Sequence, residues 1–331
     1  MHASPLCPAC RGAPSRVEAG PGGLHCASHG RLLVSEEAFA QGDGDALLGS
    51  TLDDRFVLAA RLGAGSSGVV YRAHDRAGAE PVAVKIQRGI GPDVALRGRR
   101  FASALVALER LAGQPAPRFL ARGDFVDPAG DEAPFEGARS SYVAMELVLG
   151  ESLAARLAAQ GALPPADAVQ LVTRLLEALG AAHAKGVVHG DLRLEHGILG
   201  PNGELTLLDF GGLVGDCAAV VGTALTMAPE QVRGEPPSFA SDVYAVGVLL
   251  FQLVSGQPPF RARDALAVRR AHQSAPVPPL SAARGGELPA ALQRVAERAL
   301  AKEPRERPDG AFAFAAELTE SFRTYPVRVG G

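Results

Sequence analysis

Residues 63–70 read Gly63-Ala64-Gly65-Ser66-Ser67-Gly68-Val69-Val70, and no other stretch limits the fold of this chain as strongly. Arg55 to Leu62 before it and Val69 to Ala73 after it alternate as strands do. Glycines at this spacing also occur in dinucleotide-binding turns, but those turns lead into a helix. Here a strand follows, so the glycines are expected at the tip of a hairpin that covers phosphates with its backbone. A further strand is expected over Val82 to Gln87, carrying Lys85 seventeen residues after Gly68. Only Lys85, Lys185 and Lys302 are lysine among the 33 basic residues. A surface position in this chain would normally hold arginine, so Lys85 points to a need for a compact ammonium that can reach α- and β-phosphates.

Helical periodicity is expected over Arg99 to Leu111, and a strand over Ser141 to Leu147. Beyond Gly150 the pattern is mainly helical. Pro165 to Lys185 is amphipathic, with Leu171, Leu175, Leu176 and Leu179 on one face. Asp242 to Ser255 is apolar nearly all round and should be buried; Leu288 to Ala301 is amphipathic. Gly203 to Phe210 reads as a short strand pair, and Asp127 to Arg139 as a polar loop insertion. A β-rich part followed by an α-rich part gives an α+β fold in two lobes.

Three motifs follow in order: His189-Gly190-Asp191-Leu192-Arg193-Leu194-Glu195-His196, then Leu208-Asp209-Phe210-Gly211, then Met227-Ala228-Pro229-Glu230. Each is ordinary alone. In this order, behind the glycine hairpin and Val82-Ala83-Val84-Lys85, they resemble the eukaryotic-like protein kinase family, in its bacterial serine/threonine form. Gly222-Thr223, Ser241 to Gly247, Gly256 to Phe260 and Arg307-Pro308 extend the resemblance over about residues 54–322. It implies a bilobal protein kinase domain over 53–322, with an N-lobe to about 147, a C-lobe from about 148, and a tail at 323–331.

The resemblance also implies roles. Leu62, Gly63, Ala64, Gly65, Ser66, Ser67 and Gly68 would lie over ATP, and Lys85 would hold its phosphates. Val70, Ala83 and Ile198 would sandwich the adenine, with Met145 as gatekeeper and Glu146 to Val148 as hinge. Asp191 would orient a substrate hydroxyl and accept its proton, with Arg193 beside it. Asp209 and His196 would hold Mg²⁺ or Mn²⁺, and Glu230 with Arg307 would form a structural ion pair. The implied reaction is transfer of the γ-phosphoryl group of ATP to serine or threonine hydroxyls of protein substrates.

Four positions depart from the family pattern. Aligning Arg100-Phe101 with the usual helix start puts Ala104 where a glutamate would pair with Lys85. Glu109 is five residues late, about 140° off that face. His196 stands in place of an asparagine that binds a second Mg²⁺; imidazole suits Mn²⁺ better, so a preference for Mn²⁺ is expected. Arg193 replaces a lysine, and Gly190 replaces the arginine that receives an activation-loop phosphate. Gly212 to Val221 hold no Ser, Thr or Tyr, so phosphorylation of that stretch is excluded by composition. These departures point to reduced activity, or alternatively to a pseudokinase acting as a nucleotide-binding signalling scaffold. His189-Gly190-Asp191 also resembles the His-Gly-Asp of aminoglycoside-type phosphotransferases, but those enzymes lack the peptide-docking segment that Gly222-Thr223 and Ala228-Pro229-Glu230 form.

Residues 1–34 read differently from the rest. Three of the four cysteines, Cys7, Cys10 and Cys26, crowd there. Cys7-x2-Cys10 and Cys26-x2-His29, fifteen residues apart, match structural zinc spacing and resemble a zinc ribbon, with 35–52 as linker. His25 adjoins Cys26 and cannot complete the second pair. So short a segment would draw its folding free energy from Zn²⁺. With a net charge of -3 and pI ≈ 6.3 the chain carries no basic field, so the ribbon is expected to contact protein rather than nucleic acid. The longest apolar run, Val243 to Val254, is too short for a bilayer, and the first residues lack a charged-then-apolar leader. No membrane contact and a cytoplasmic location are expected.

Overall fold

The computed structural model describes residues 5–323, apart from 21, 42–44, 46, 66–67, 89–93, 127–138, 212–223 and 285–287. The chain divides into two units: Met1–Ala102 with Arg118–Leu147, and Ser103–Pro117 with Val148–Gly331.

The first unit opens with a hairpin of β1 (Val17–Gly20) and β2 (Gly23–Cys26), followed by the short helix α1 (Glu36–Gln41). Six antiparallel strands then form one sheet in the order β3-β4-β5-β6-β8-β7. They are β3 (Thr51–Leu52), β4 (Phe56–Gly65), β5 (Gly68–Asp75), β6 (Pro81–Gln87), β7 (Phe119–Val126) and β8 (Arg139–Glu146). The expected glycine hairpin is present: Gly65 stands opposite Gly68. At Gly68 (φ +133) an added Cβ would lie 2.3 Å from the Ile86 carbonyl oxygen, so the turn admits only glycine.

Strand alternation sorts the side chains of β6. Val82, Val84 and Ile86 share one buried core with Phe56, Leu58, Tyr71, Tyr142 and Ala144. Ala83 and Lys85 therefore lie on the opposite face. The segment 35–52, expected as a linker, adds Ala38, Leu47, Leu48 and Leu52 to the same core. Its Asp45 also accepts a 2.5 Å hydrogen bond from the Tyr71 hydroxyl. Leu47 and Leu48 are apolar enough to repay burial against the sheet, so the segment packs where a polar tether would stay solvated. β7 was not anticipated: it is a half-buried edge strand, and Arg122-Gly123-Asp124 interrupts its apolar alternation.

In the second unit β9 (Glu151–Ser152), β10 (Gly197–Leu199) and β11 (Leu205–Leu207) form a sheet in the order β11-β10-β9. The expected strand pair within Gly203 to Phe210 is thus only half right. β11 lies there, but its partner β10 is upstream, across a turn closed by Gly203 N donating to the Gly200 carbonyl. Helix α2 (Val94–Leu111) passes from one unit into the other. The remaining helices are α3 (Leu153–Gln160), α4 (Pro165–Ala184), α5 (Pro229–Val232), α6 (Phe239–Ser255), α7 (Ala265–Ser274), α8 (Leu280–Arg284), α9 (Ala290–Ala299) and α10 (Ala311–Arg323). On α4 all four predicted leucines are buried. α6 starts at the Ser238 cap, whose Oγ accepts from Ser241 N, and stops at Gly256 with φ 80. Every residue from Ser241 to Phe251 is buried, as its uniform apolarity required. Of the insertion expected over Asp127 to Arg139, residues 127–138 lie outside the described residues, as does the stretch 212–221, and Arg139 opens β8.

Candidate active site

The residues expected to carry function fall in both units. In the first, residues directly opposite across neighbouring strands share a face. Lys85 pairs with Val70 on β5 and Val143 on β8; Ala83 pairs with Met145. Val70, Ala83, Lys85 and Met145 therefore line one surface, with Gly63 opposite Val70 at its end. Lys85 is buried to 4% exposure on a face away from the apolar core, where a lysine persists only if its charge is used. Leu62 on β4 is 52% exposed. Glu146 N donates to the Arg118 carbonyl at 2.9 Å, which fixes the end of β8. Ser66 and Ser67 lie outside the described residues.

In the second unit the loop after α4 is held by a residue that sequence reasoning passed over. The Asp242 carboxylate, buried on α6, accepts from His189 N at 2.8 Å, Gly190 N at 2.8 Å and His183 Nε2 at 2.9 Å. Bonds of this charge-assisted kind contribute about 1.5–3 kcal/mol each. An aspartate inside an otherwise apolar helix was the available signal. Gln231 adds a second tie, donating from Nε2 to the Gly190 carbonyl at 3.1 Å. Gly190 has φ 79, so this position suits glycine where the family has arginine.

Asp191, Arg193, His196 and Asp209 come together. Arg193 Nε lies 3.7 Å from Asp191 Oδ1, and Arg193 Nη2 donates to His196 Nε2 at 2.8 Å. His196 Nδ1 donates to the Asp191 carbonyl at 2.7 Å, while its Nε2 is 3.7 Å from Asp209 Oδ2. Asp209 itself sits at φ 61, a conformation aspartate tolerates better than most residues. Behind it, the Phe210 ring packs 4.5 Å from the His189 ring. Burial pushes the His189 imidazole down to about 4, so at neutral pH it is an uncharged packing partner. Gly211 N donates to the His189 carbonyl, and a Cβ at Gly211 (φ +89) would meet Ala104 N at 2.6 Å. Ala104 thus backs the Asp209-Phe210-Gly211 turn. Ile198 pairs with Ser152 and stands under Gly150, close to the start of this unit at Val148.

The expected ion pair is present. Arg307 Nη1 and Nη2 donate to the two Glu230 carboxylate oxygens at 2.6 and 2.7 Å, fully buried.

The ribbon residues also converge. One ligand atom each from Cys7, Cys10, Cys26 and His29 lies within 4.8 Å of the others. Cys10 Sγ to Cys26 Sγ is 3.7 Å, and His29 Nδ1 is 3.4 Å from Cys10 Sγ and 3.5 Å from Cys26 Sγ. Tetrahedral zinc with ordinary bond lengths separates its ligands by roughly 3.3–3.8 Å, which the Cys10, Cys26 and His29 separations match; Cys7 completes the set within the 4.8 Å span. The crowding splits the thiols. Cys26 is pushed down to about 6, chiefly by its hydrogen bond with His29, and Cys10 up to about 12, chiefly by that with Cys7. His25 points elsewhere, its Nδ1 donating to the Gly30 carbonyl at 3.1 Å.

Comparison with known proteins meets this geometry. The family model for the protein kinase domain matches residues 129–319, more than half of the chain. The chain belongs to the protein kinase family. The serine/threonine-protein kinase PknL of Mycobacterium tuberculosis is 32% identical to this kinase over 286 residues, 84% of this chain and 68% of PknL. PknB of the same organism is 32% identical over 285 residues, 81% of this chain and 43% of PknB. Among solved structures, the PknI kinase domain of Mycobacterium tuberculosis aligns at a TM-score of 0.62 and 25% identity, covering 83% of this chain and 98% of that one. The expected bilobal protein kinase fold is thereby established, and with it an ATP-dependent serine/threonine kinase; the family implies Mg²⁺ or Mn²⁺ beside the ATP. Among the described residues no helix is long and apolar enough to cross a membrane.

Proposed function

We propose that this kinase transfers the γ-phosphoryl group of ATP to serine and threonine hydroxyls of protein substrates, with Asp191 as the proton acceptor. The observation that carries this is the state of Asp191. Its Oδ1 is buried and has no hydrogen-bond partner among the described residues, with the Arg193 guanidinium near it. Asp242 and His196 fix the surrounding backbone. A pre-positioned lone pair of this kind suits a donating hydroxyl. As the hydroxyl oxygen bonds to the γ-phosphorus and the bond to the β-γ bridging oxygen breaks, the proton passes to Asp191.

The other roles follow the same reading. Lys85 holds the α- and β-phosphates, backbone N–H groups at Gly63, Gly65 and Gly68 approach them, and Val70, Ala83, Met145 and Ile198 enclose the adenine beside the Glu146–Val148 hinge. Asp209 holds the divalent cation, which when bound neutralises phosphate charge. Cys7, Cys10, Cys26 and His29 hold a structural Zn²⁺, as their tetrahedral spacing supports. The ribbon's surface is left for a protein partner.

Phosphate transfer from γ-labelled ATP to casein should fall about 10²- to 10⁴-fold in Asp191→Ala, with nucleotide affinity kept. Equal labelling by both proteins would remove Asp191 from the chemistry. Labelling by neither, with nucleotide bound, would establish the scaffold reading.

A further inference from the structure

We infer that the kinase uses one divalent cation, at Asp209, and that the Arg193 guanidinium occupies the role of a second. This rests on the phosphoryl-transfer reading above. It departs from the expectation that His196 ligates a metal.

The ligand set at His196 decides it. The ring is buried, 5% exposed. A carbonyl oxygen only accepts, so the Nδ1 that lies 2.7 Å from the Asp191 carbonyl carries the ring proton. A guanidinium only donates, so the Nε2 that lies 2.8 Å from Arg193 Nη2 spends its lone pair on that bond. A neutral imidazole has a single in-plane lone pair. With it committed, His196 offers no ligand atom, and the residues present do not fit a second metal. Transferring the proton between the nitrogens does not help, because Nδ1 would then face the carbonyl with a second lone pair.

Charge points the same way. Arg193 stands 3.7 Å from Asp191 Oδ1 through Nε while its Nη2 engages His196, whose Nε2 is 3.7 Å from Asp209 Oδ2. A permanent cation already stands beside the Asp191 carboxylate and on the His196 ring that faces Asp209, and a dication entering there would be repelled. Arginine suits this position because the Nη2 that donates to His196 and the Nε that stands near Asp191 without a hydrogen bond are separate atoms of one planar cation; a lysine has one nitrogen for both. The departures at positions 193 and 196 are therefore one change. His196 becomes a positioning residue, tying Arg193 to the Asp191 backbone.

The test counts metal. Mn²⁺ bound in the presence of saturating AMP-PNP is measured by electron paramagnetic resonance on the full, zinc-loaded chain. One nucleotide-dependent Mn²⁺ per chain is expected, with no imidazole ¹⁴N modulation in the spin echo. Arg193→Lys combined with His196→Asn should raise the count to two. Two Mn²⁺ on the wild type, imidazole modulation on the bound ion, or a folded double variant that still binds one, each overturns the inference. If the double variant does not fold, the wild-type count and echo decide alone. No nucleotide-dependent Mn²⁺ at all overturns the phosphoryl-transfer reading instead.

Discussion

Arg307 satisfies all five of its N–H groups: two on Glu230, and one each on the carbonyls of Ala240, Ala301 and Lys302. Its guanidinium also covers the Tyr244 ring at 4.9 Å. Such a pair is worth little against an apolar replacement of both partners, but removing one leaves a buried charge alone. Glu230→Ala should therefore cost about 3–5 kcal/mol, read as a lower urea midpoint for the C-lobe transition. A loss under ~1 kcal/mol would mean that the backbone carbonyls alone satisfy the arginine. This pair was legible in the sequence, because Ala228-Pro229-Glu230 and Arg307-Pro308 are local motifs. Asp242 was not, since its three donors come from residues more than fifty positions away in sequence. The pairing of Arg193 with His196 was also hidden. Each was read as a separate departure, and only the geometry joins them.

Among the elements, the glycine hairpin and helices α4 and α6 were legible because periodicity alone decides them. β7 and β10 were not: one is an edge strand broken by Gly123, and the other is three residues long. The ribbon's ligands were legible from their spacing, but not its attachment. Cys26 N donates to the Arg31 carbonyl, Leu32 N to Gly49, and Gly49 N to Leu58 on β4. Hydrogen bonds thus run stepwise from the ligand knuckle to the strand that ends in Gly63 and Gly65. With Leu47 and Leu48 buried beneath them, ribbon and sheet should unfold together. Wild-type protein should contain one zinc per chain by elemental analysis. Cys7→Ser with Cys10→Ser should abolish it and lower the first thermal transition by several degrees or more, since metal binding supplies folding free energy to so short a segment. Unchanged zinc content would refute the ligand set, and an unchanged transition with zinc lost would refute the coupling.

For the molecule as a whole, the order of motifs carried the fold. Its glycine hairpin, lysine strand, His-Gly-Asp loop and Asp-Phe-Gly turn appear in the expected units. Activity was harder to read, because Ala104, Gly190, Arg193 and His196 each replace a residue the family pattern uses. One of these has a structural reason: Gly190 adopts φ 79, which suits glycine. The central claim is that the remaining machinery still phosphorylates proteins. Mass spectrometry of a mixed protein substrate incubated with the kinase, ATP and Mg²⁺ tests it most directly, with kanamycin present as a competing small-molecule acceptor. The account predicts new phosphate on serine and threonine side chains, absent with Asp191→Ala, and none on the aminoglycoside. Phosphate on kanamycin alone, or on nothing beyond the Asp191→Ala background, would contradict it.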